Sequence, residues 1–355
     1  MTALLRRYSL GMIGTSRSLA GVILLLLAAI LVVVVGRLGP YPNLLRGWLF
    51  AFAIWSSVPI GSMTLLLIHR LTGGRWGVAA GPVLRPLAAM LPLVAIGFVP
   101  VLAGLPHIYP WAADPGQVKP DVAHWYLSQP AFVLRSAIAL VGWSVLGVTF
   151  GAGARGRVLA AIGLAFFGLT ISLVAVDWYL SVEPRYVATA FACMIAVQQL
   201  LAALALVAVI SPTELDGKAA GDIGGLLIAT LLGVVYLEYM TFVVAWYGDL
   251  PDKAEWFLKR STGAWTAILV TTFAMAVLPF AMLLLRSVRS SRAGLRTAGI
   301  LLLIGTMMHL AWLIVPAFAA QASVAAIGVI VLILLTTASA LYTRDGAARE
   351  AHDAE

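Results

Sequence analysis

Ten apolar runs, each roughly 19 to 25 residues long and separated by short polar joints, take up nearly all of this 355-residue chain. The hydrocarbon core of a bilayer, about 30 Å thick, is crossed by about 20 helical residues. Inside it only a helix or a closed barrel satisfies its own backbone hydrogen bonds. Runs such as Val22 to Val35 lack the polar alternation that a barrel strand needs. The sequence therefore predicts an all-α integral membrane protein with no separate soluble domain.

The spans are read as 18–36, 47–69, 86–104, 131–150, 158–179, 187–210, 222–246, 264–285, 296–318 and 322–342, with 344–355 as a short disordered tail. The first run follows Arg6, Arg7 and Arg17, but it is long and lacks an Ala-x-Ala exit, so it reads as a retained helix rather than a cleaved signal.

The net charge of +8 is explained by where the basic residues fall. Roughly two thirds of the Lys and Arg lie in the two tails and the even-numbered joints, which puts both termini in the cytoplasm by the positive-inside rule. No basic patch interleaved with aromatic residues supports nucleic-acid binding. The one cysteine, Cys193, lies inside the sixth run, so the chain has neither a disulfide nor a thiolate set for zinc or an iron–sulfur cluster. Two histidines fall within runs. His69 ends the second, while His309 lies about thirteen residues along the ninth, roughly 20 Å from the cytoplasmic end at the helical rise. They are at different depths, which argues against a shared haem. No metal ligands are expected.

The odd-numbered joints differ in kind. The third (LPHIYPWAADPGQVKPDVAHWYLSQP, 105–130), the fifth (DWYLSVEPRY, 177–186) and the seventh (WYGDLPDKAEWFLKR, 246–260) are rich in Trp, Tyr, Pro and carboxylates. Part of this is an interfacial aromatic belt. The density of Pro and acids favours ordered docking loops over linkers, which would carry Ser and Gly.

Charged residues within the runs are costly and so mark functional candidates. Glu238, flanked by Tyr236 and Tyr239, lies about two turns below the outer end of the seventh run, and His309 lies near mid-membrane. A carboxylate and an imidazole can carry protons or can equally act as hydrogen-bonding staples between helices. Arg135 either snorkels outward or serves a site, and Asp177 is either a solvated interfacial carboxylate or part of a site. In the second run, Pro59 removes a helical hydrogen bond and Gly61 permits close packing, which marks a kink or a pocket wall.

Four ordered stretches, LTGGRWG from Leu71, LPHIYPWA from Leu105, DWYLSVEP from Asp177 and WYGDLPDKAEWFLKRSTGAW from Trp246, resemble the ActF-type membrane subunits of alternative complex III, in the NrfD-like (polysulfide reductase membrane subunit) superfamily. The resemblance covers roughly residues 40 to 320. It implies two four-helix bundles, runs two to five and six to nine, flanked by runs one and ten, in a bacterial inner membrane. It implies quinol oxidation at the periplasmic face, no cofactor held by this chain, and electrons passed to periplasmic iron–sulfur and multihaem cytochrome c subunits beside a second NrfD-like subunit. The motif positions carried over are Asp177, Trp178, Ser181, Glu183, Pro184, Trp246, Tyr247, Leu250, Pro251 and Trp256, with His69, Gly73, Gly74, Arg75 and Trp76 at the inner side.

A quinone pocket needs hydrogen-bond partners and a base, with apolar walls. His107, Tyr109, Asp177, Glu183 and Arg135 are the candidates by chemistry and face. Glu238, His309, Asp177 and His69 are candidates for a proton path, and Trp111, Trp178, Trp246, Tyr247, Pro251 and Trp256 for partner docking. Two other readings remain: a structural anchor without quinone contact, and a secondary transporter, against which stands the lack of an inverted pair of Gly/Pro-interrupted runs.

Overall fold

The computed structural model describes the backbone of residues 2–38, 41–210 and 215–353. Ten of its helical segments are long and apolar enough to cross a membrane: span 1 (Leu19–Arg37), span 2 (Asn43–Thr72), span 3 (Arg75–Ala103), span 4 (Gln129–Gly151), span 5 (Arg157–Val182), span 6 (Phe191–Ile210), span 7 (Gly217–Tyr247), span 8 (Gly263–Leu284), span 9 (Arg292–Ala317) and span 10 (Gln321–Ala340). The described residues contain helices and no strands, consistent with a multi-pass membrane protein. The helix of span 10 runs on to Asp353. The side chains of 344–353, like those of Arg6, Arg7 and Arg17, are outside the described set, as is all of 354–355.

Span 3 begins eleven residues before the expected Pro86, because its first turns carry Arg75 and Arg85, which lower the local hydropathy without breaking the helix. Only Gly73 and Gly74 separate it from span 2, with φ of 72° and 106°, a backbone that a side chain would strain. Farther on, span 3 is broken at Met90 and Phe98, and in each case a proline opens the next segment, where its missing N–H costs nothing. The same device builds the third joint. Pro106, Pro110, Pro115 and Pro120 each start a short helical turn, so this joint is ordered.

Span 2 is the axis of the molecule, with 83% of its apolar window buried. It packs on spans 3, 4 and 5 on one side, span 6 on another and spans 1 and 10 on a third. The approach to span 6 is closest at Gly61, where an added Cβ would lie 2.0 Å from the Gln199 carbonyl oxygen. Span 6 in turn packs on spans 7 and 9, and span 9 on span 8. Spans 7 and 8 are the least buried, at 17% and 11%, and their exposed faces are apolar: Phe242, Val270, Phe273 and Leu278 among them.

The joints sort to two ends. At one, Arg46 donates to the His107 carbonyl, Tyr109 to the Trp178 carbonyl, and Lys259 to Glu183, which connects joints one, three, five and seven. At the other, Arg157 donates to the Leu71 carbonyl, Arg75 faces Asp222 at 3.6 Å, and Arg292 donates to the Leu215 carbonyl, which connects the even joints.

Candidate functional site

Three polar clusters sit within the apolar fold, and they divide the candidate residues differently from the sequence reading.

The first joins spans 4 and 5. Asp177, with no solvent exposure, accepts from Arg135 Nε at 2.6 Å and from Arg135 Nη2 at 3.0 Å. The guanidinium also donates to the Tyr126 carbonyl and lies 4.2 Å over the Tyr126 ring. Around this pair the tryptophans are knitted inward. Trp178 donates to Ser136 Oγ at 2.9 Å, Trp111 to Ser181 Oγ at 3.1 Å, and Tyr109 to the Trp178 carbonyl at 3.0 Å. Phe98 packs 4.4 Å from Trp178, centroid to centroid, and Phe132 packs on Tyr109 and Trp111. The Tyr109 phenol, in the third joint, is held well above its ordinary value by burial.

The second cluster ties joints five and seven to span 9. Arg260, fully buried, bonds Glu183 and donates to the carbonyls of Trp256 (3.1 Å), Trp312 (3.1 Å) and Leu313 (2.8 Å). Lys259 takes the other Glu183 oxygen at 2.9 Å. Arg260 lies 3.6 Å over the Trp256 ring, which stacks in turn on Tyr186 at 4.2 Å. A buried cation on this many acceptors is a staple, for which arginine's fixed fork is suited.

The third cluster is the one with open space beside it. His309 of span 9 and Glu238 of span 7 face each other at 3.7 Å, Nε2 to Oε2. His309 Nδ1 lies 3.2 Å from Gln198 Oε1 on span 6, and Gln198 Nε2 donates to the Thr306 carbonyl at 3.1 Å. That last bond orients the amide, since the carbonyl can take only the NH₂ end. Gln198 therefore presents an acceptor to His309, and Nδ1 must carry a proton. Nε2 looks toward Glu238 Oε2 across 3.7 Å, beyond direct hydrogen-bond reach.

Both residues line a partly open cavity of roughly 400 Å³ bordered by spans 6 to 9 and by Phe257 and Ser261, within the range of small-molecule sites, about 300 to 1,000 Å³. Its walls are otherwise mostly apolar, with Leu231, Val234, Phe242, Phe273 and Met275 among them. Gln198 and Thr306 also line a second cavity of roughly 380 Å³ between spans 2, 3, 6, 9 and 10, with Pro59 and Trp55 in its wall.

Of the expected quinone residues, Tyr109, Arg135 and Asp177 come together in the first cluster, but they and His107 line neither cavity, and Arg135 and Asp177 bond each other. Glu183 borders only an open groove of roughly 180 Å³ between joints three, five and seven. Of the proton candidates, Glu238 and His309 come together, whereas Asp177 belongs to the first cluster and His69 sits on the last turn of span 2, its Nε2 3.0 Å from the Gly74 carbonyl. Among the docking candidates Trp111, Trp178 and Trp256 are buried, because each indole N–H or ring face is used inside the fold, and they present no surface. Trp246 (72% exposed), Tyr247 (84%) and Pro251 lie open.

Sequence reading missed Gln198, Arg260, Thr272 and Trp312. Gln198 with Gln199 was a visible polar pair in a run of apolar residues. Arg260, next to Lys259 at a membrane edge, looked like any snorkelling cation. Comparison with protein-family models and with curated proteins gives no match.

Proposed function

We propose that the chain is an NrfD-like membrane subunit of a quinol-oxidising respiratory complex of the alternative complex III type, sited in a bacterial inner membrane with both termini cytoplasmic. Spans 2–5 and 6–9 form its two four-helix bundles, with spans 1 and 10 alongside. Oxidation of a quinol releases electrons and protons. The electrons leave through iron–sulfur and multihaem cytochrome c partners at the odd-joint end, and this chain handles protons in the membrane.

The observation that carries the reading is the Glu238–His309 pair, a carboxyl and an imidazole 3.7 Å apart on the wall of an intramembrane cavity. Charged groups at such depth are retained where they exchange ions or protons. The clustering of ordered, aromatic-rich joints at one end supports a docked redox assembly, and exposed Trp246 and Tyr247 are the anchors at its edge.

The test is affinity purification of the tagged chain in gentle detergent, with mass spectrometry of what accompanies it and an optical redox spectrum. Haem c absorption and iron–sulfur subunits are expected, with quinol oxidation by the purified complex. Glu238→Gln should slow proton-coupled turnover while leaving the subunits associated. A colourless chain that purifies alone from membranes expressing the partners would overturn the proposal. A structural anchor is the second reading, favoured by the number of polar groups used as staples. It requires that Glu238→Gln and His309→Leu change neither turnover nor proton uptake.

A further inference from the structure

The cavity bordered by spans 6 to 9 carries one acid and no Lys or Arg. That acid, Glu238, lies nine residues before the end of span 7, about 14 Å along the helix. Its side chain is 23% exposed, and among the described residues it takes no hydrogen bond. His309 Nε2, at 3.7 Å, is too far to donate one. The Arg260 guanidinium lies outside the cavity and is committed to Glu183 and to three carbonyls. A carboxylate at membrane depth is costly unless a partner answers its charge, and on the cavity side the protein supplies none.

We propose that the cavity is a binding site for a lipophilic organic cation, an ammonium or phosphonium carrying apolar groups, held between the Glu238 carboxylate and the aromatic walls.

The walls suit a cation that has shed its water. Tyr239, Phe242, Phe257 and Phe273 border the same space as Glu238, and aromatic faces attract organic cations by their ring quadrupole. Phe242 and Phe257 hold each other edge to face at 5.6 Å, which fixes two of these rings. The aliphatic groups of such a ligand meet Leu231, Val234 and Met275.

Other occupants fit less well. A calcium or magnesium ion takes about six or more oxygens, and Glu238 is the only carboxylate on the wall. An acyl chain matches the apolar lining but leaves the carboxylate unanswered. An anion meets no Lys or Arg there and is opposed by Glu238. Access is sideways: Tyr239, Phe242 and Phe273 border the cavity and are also exposed at the surface of spans 7 and 8, so a ligand dissolved in the bilayer enters without crossing a polar joint.

Binding here needs no redox partner, so the proposed function and this site stand or fall separately.

The experiment is equilibrium binding of radiolabelled tetraphenylphosphonium to the full chain in nanodiscs, with any subunits that accompany it, against empty nanodiscs. Saturable binding above that background is expected. It should be displaced by the unlabelled cation but not by tetraphenylmethane carried in the nanodisc lipid, which has the same shape and no charge. Glu238→Gln, close in size, should weaken binding about tenfold or more through loss of the charge. The surface-exposed Phe273→Leu should weaken it about threefold, the worth of one exposed cation–π contact. If Glu238→Gln does not fold, the uncharged competitor and Phe273→Leu decide. Absence of saturable binding, equal displacement by tetraphenylmethane, or unchanged affinity in both variants would overturn the site.

Discussion

Arg135 and Asp177 meet in two parallel hydrogen bonds, 2.6 and 3.0 Å, at a carboxylate with no exposure to solvent. Two residues 42 positions apart thereby join span 4 to the end of span 5. Both were candidate ligand groups by composition, yet they bond each other, and Arg135 also donates to the Tyr126 carbonyl. Removing one partner leaves a buried charge uncompensated, at a cost of about 3 to 5 kcal/mol. Arg135→Ala and Asp177→Ala should each fall in thermal stability and yield by that order in detergent, and Asp177→Asn by less. The double replacement by apolar residues of similar volume should recover much of the loss. Unchanged melting of Arg135→Ala would show that the pair is not structural.

Arg260 is the corresponding staple for joints five and seven, with acceptors on Glu183, Trp256, Trp312 and Leu313. An ammonium is a point charge and cannot reproduce that fork. Arg260→Lys should therefore behave nearly as badly as Arg260→Ala, and both should expose the 246–260 joint to limited proteolysis. Protection equal to wild type in the lysine variant would show that charge alone suffices.

Gly61 rests against the Gln199 carbonyl, with 2.0 Å for any added Cβ. Gly61→Ala must move span 2 away from span 6 at a cost of about 1 to 3 kcal/mol, the usual range for overpacking, and Gly61→Leu should abolish recovery of folded protein. Both effects are read as melting temperature and monodisperse yield. The second cavity, whose wall includes Gln198 and Pro59, should change with them.

The phenols of Tyr109, Tyr126 and Tyr186 are all pushed above their ordinary value, each chiefly by burial. A phenol whose folded value is raised stabilises the fold fully below its unfolded value, near 10, and that contribution is lost as pH rises beyond it. Melting temperature should consequently fall as pH rises above about 10. Tyr109→Phe should flatten part of that fall while losing the bond to the Trp178 carbonyl. Tyrosinate absorbance that rises fully at pH 10 while the protein stays folded would contradict the buried placement.

Much of the molecule was legible before any coordinates. The ten spans follow from apolar length, since bilayer thickness sets a scale that a linear sequence can match. Their ends shifted where local chemistry competed: Arg75 and Arg85 hid the start of span 3, and Val187 to Ala190 proved to be irregular chain ending in a turn ahead of span 6. Glu238 and His309 were visible because charge in an apolar run is rare and expensive. Their partnership was not, because spans 7 and 9 are apolar on every side and carry no periodic mark of which faces meet.

The number of apolar helices, the alternation of polar joints and the identity of the ionisable groups within the apolar runs depend on neighbours along the chain, and so can be read from it directly. Helix packing, by contrast, pairs Asp177 with Arg135 while Glu238 borders open space, and turns Trp178 inward while Trp246 stays out. Those outcomes depend on helix rotation and on contacts between residues tens to hundreds of positions apart, where close packing selects one arrangement among many of equal hydropathy.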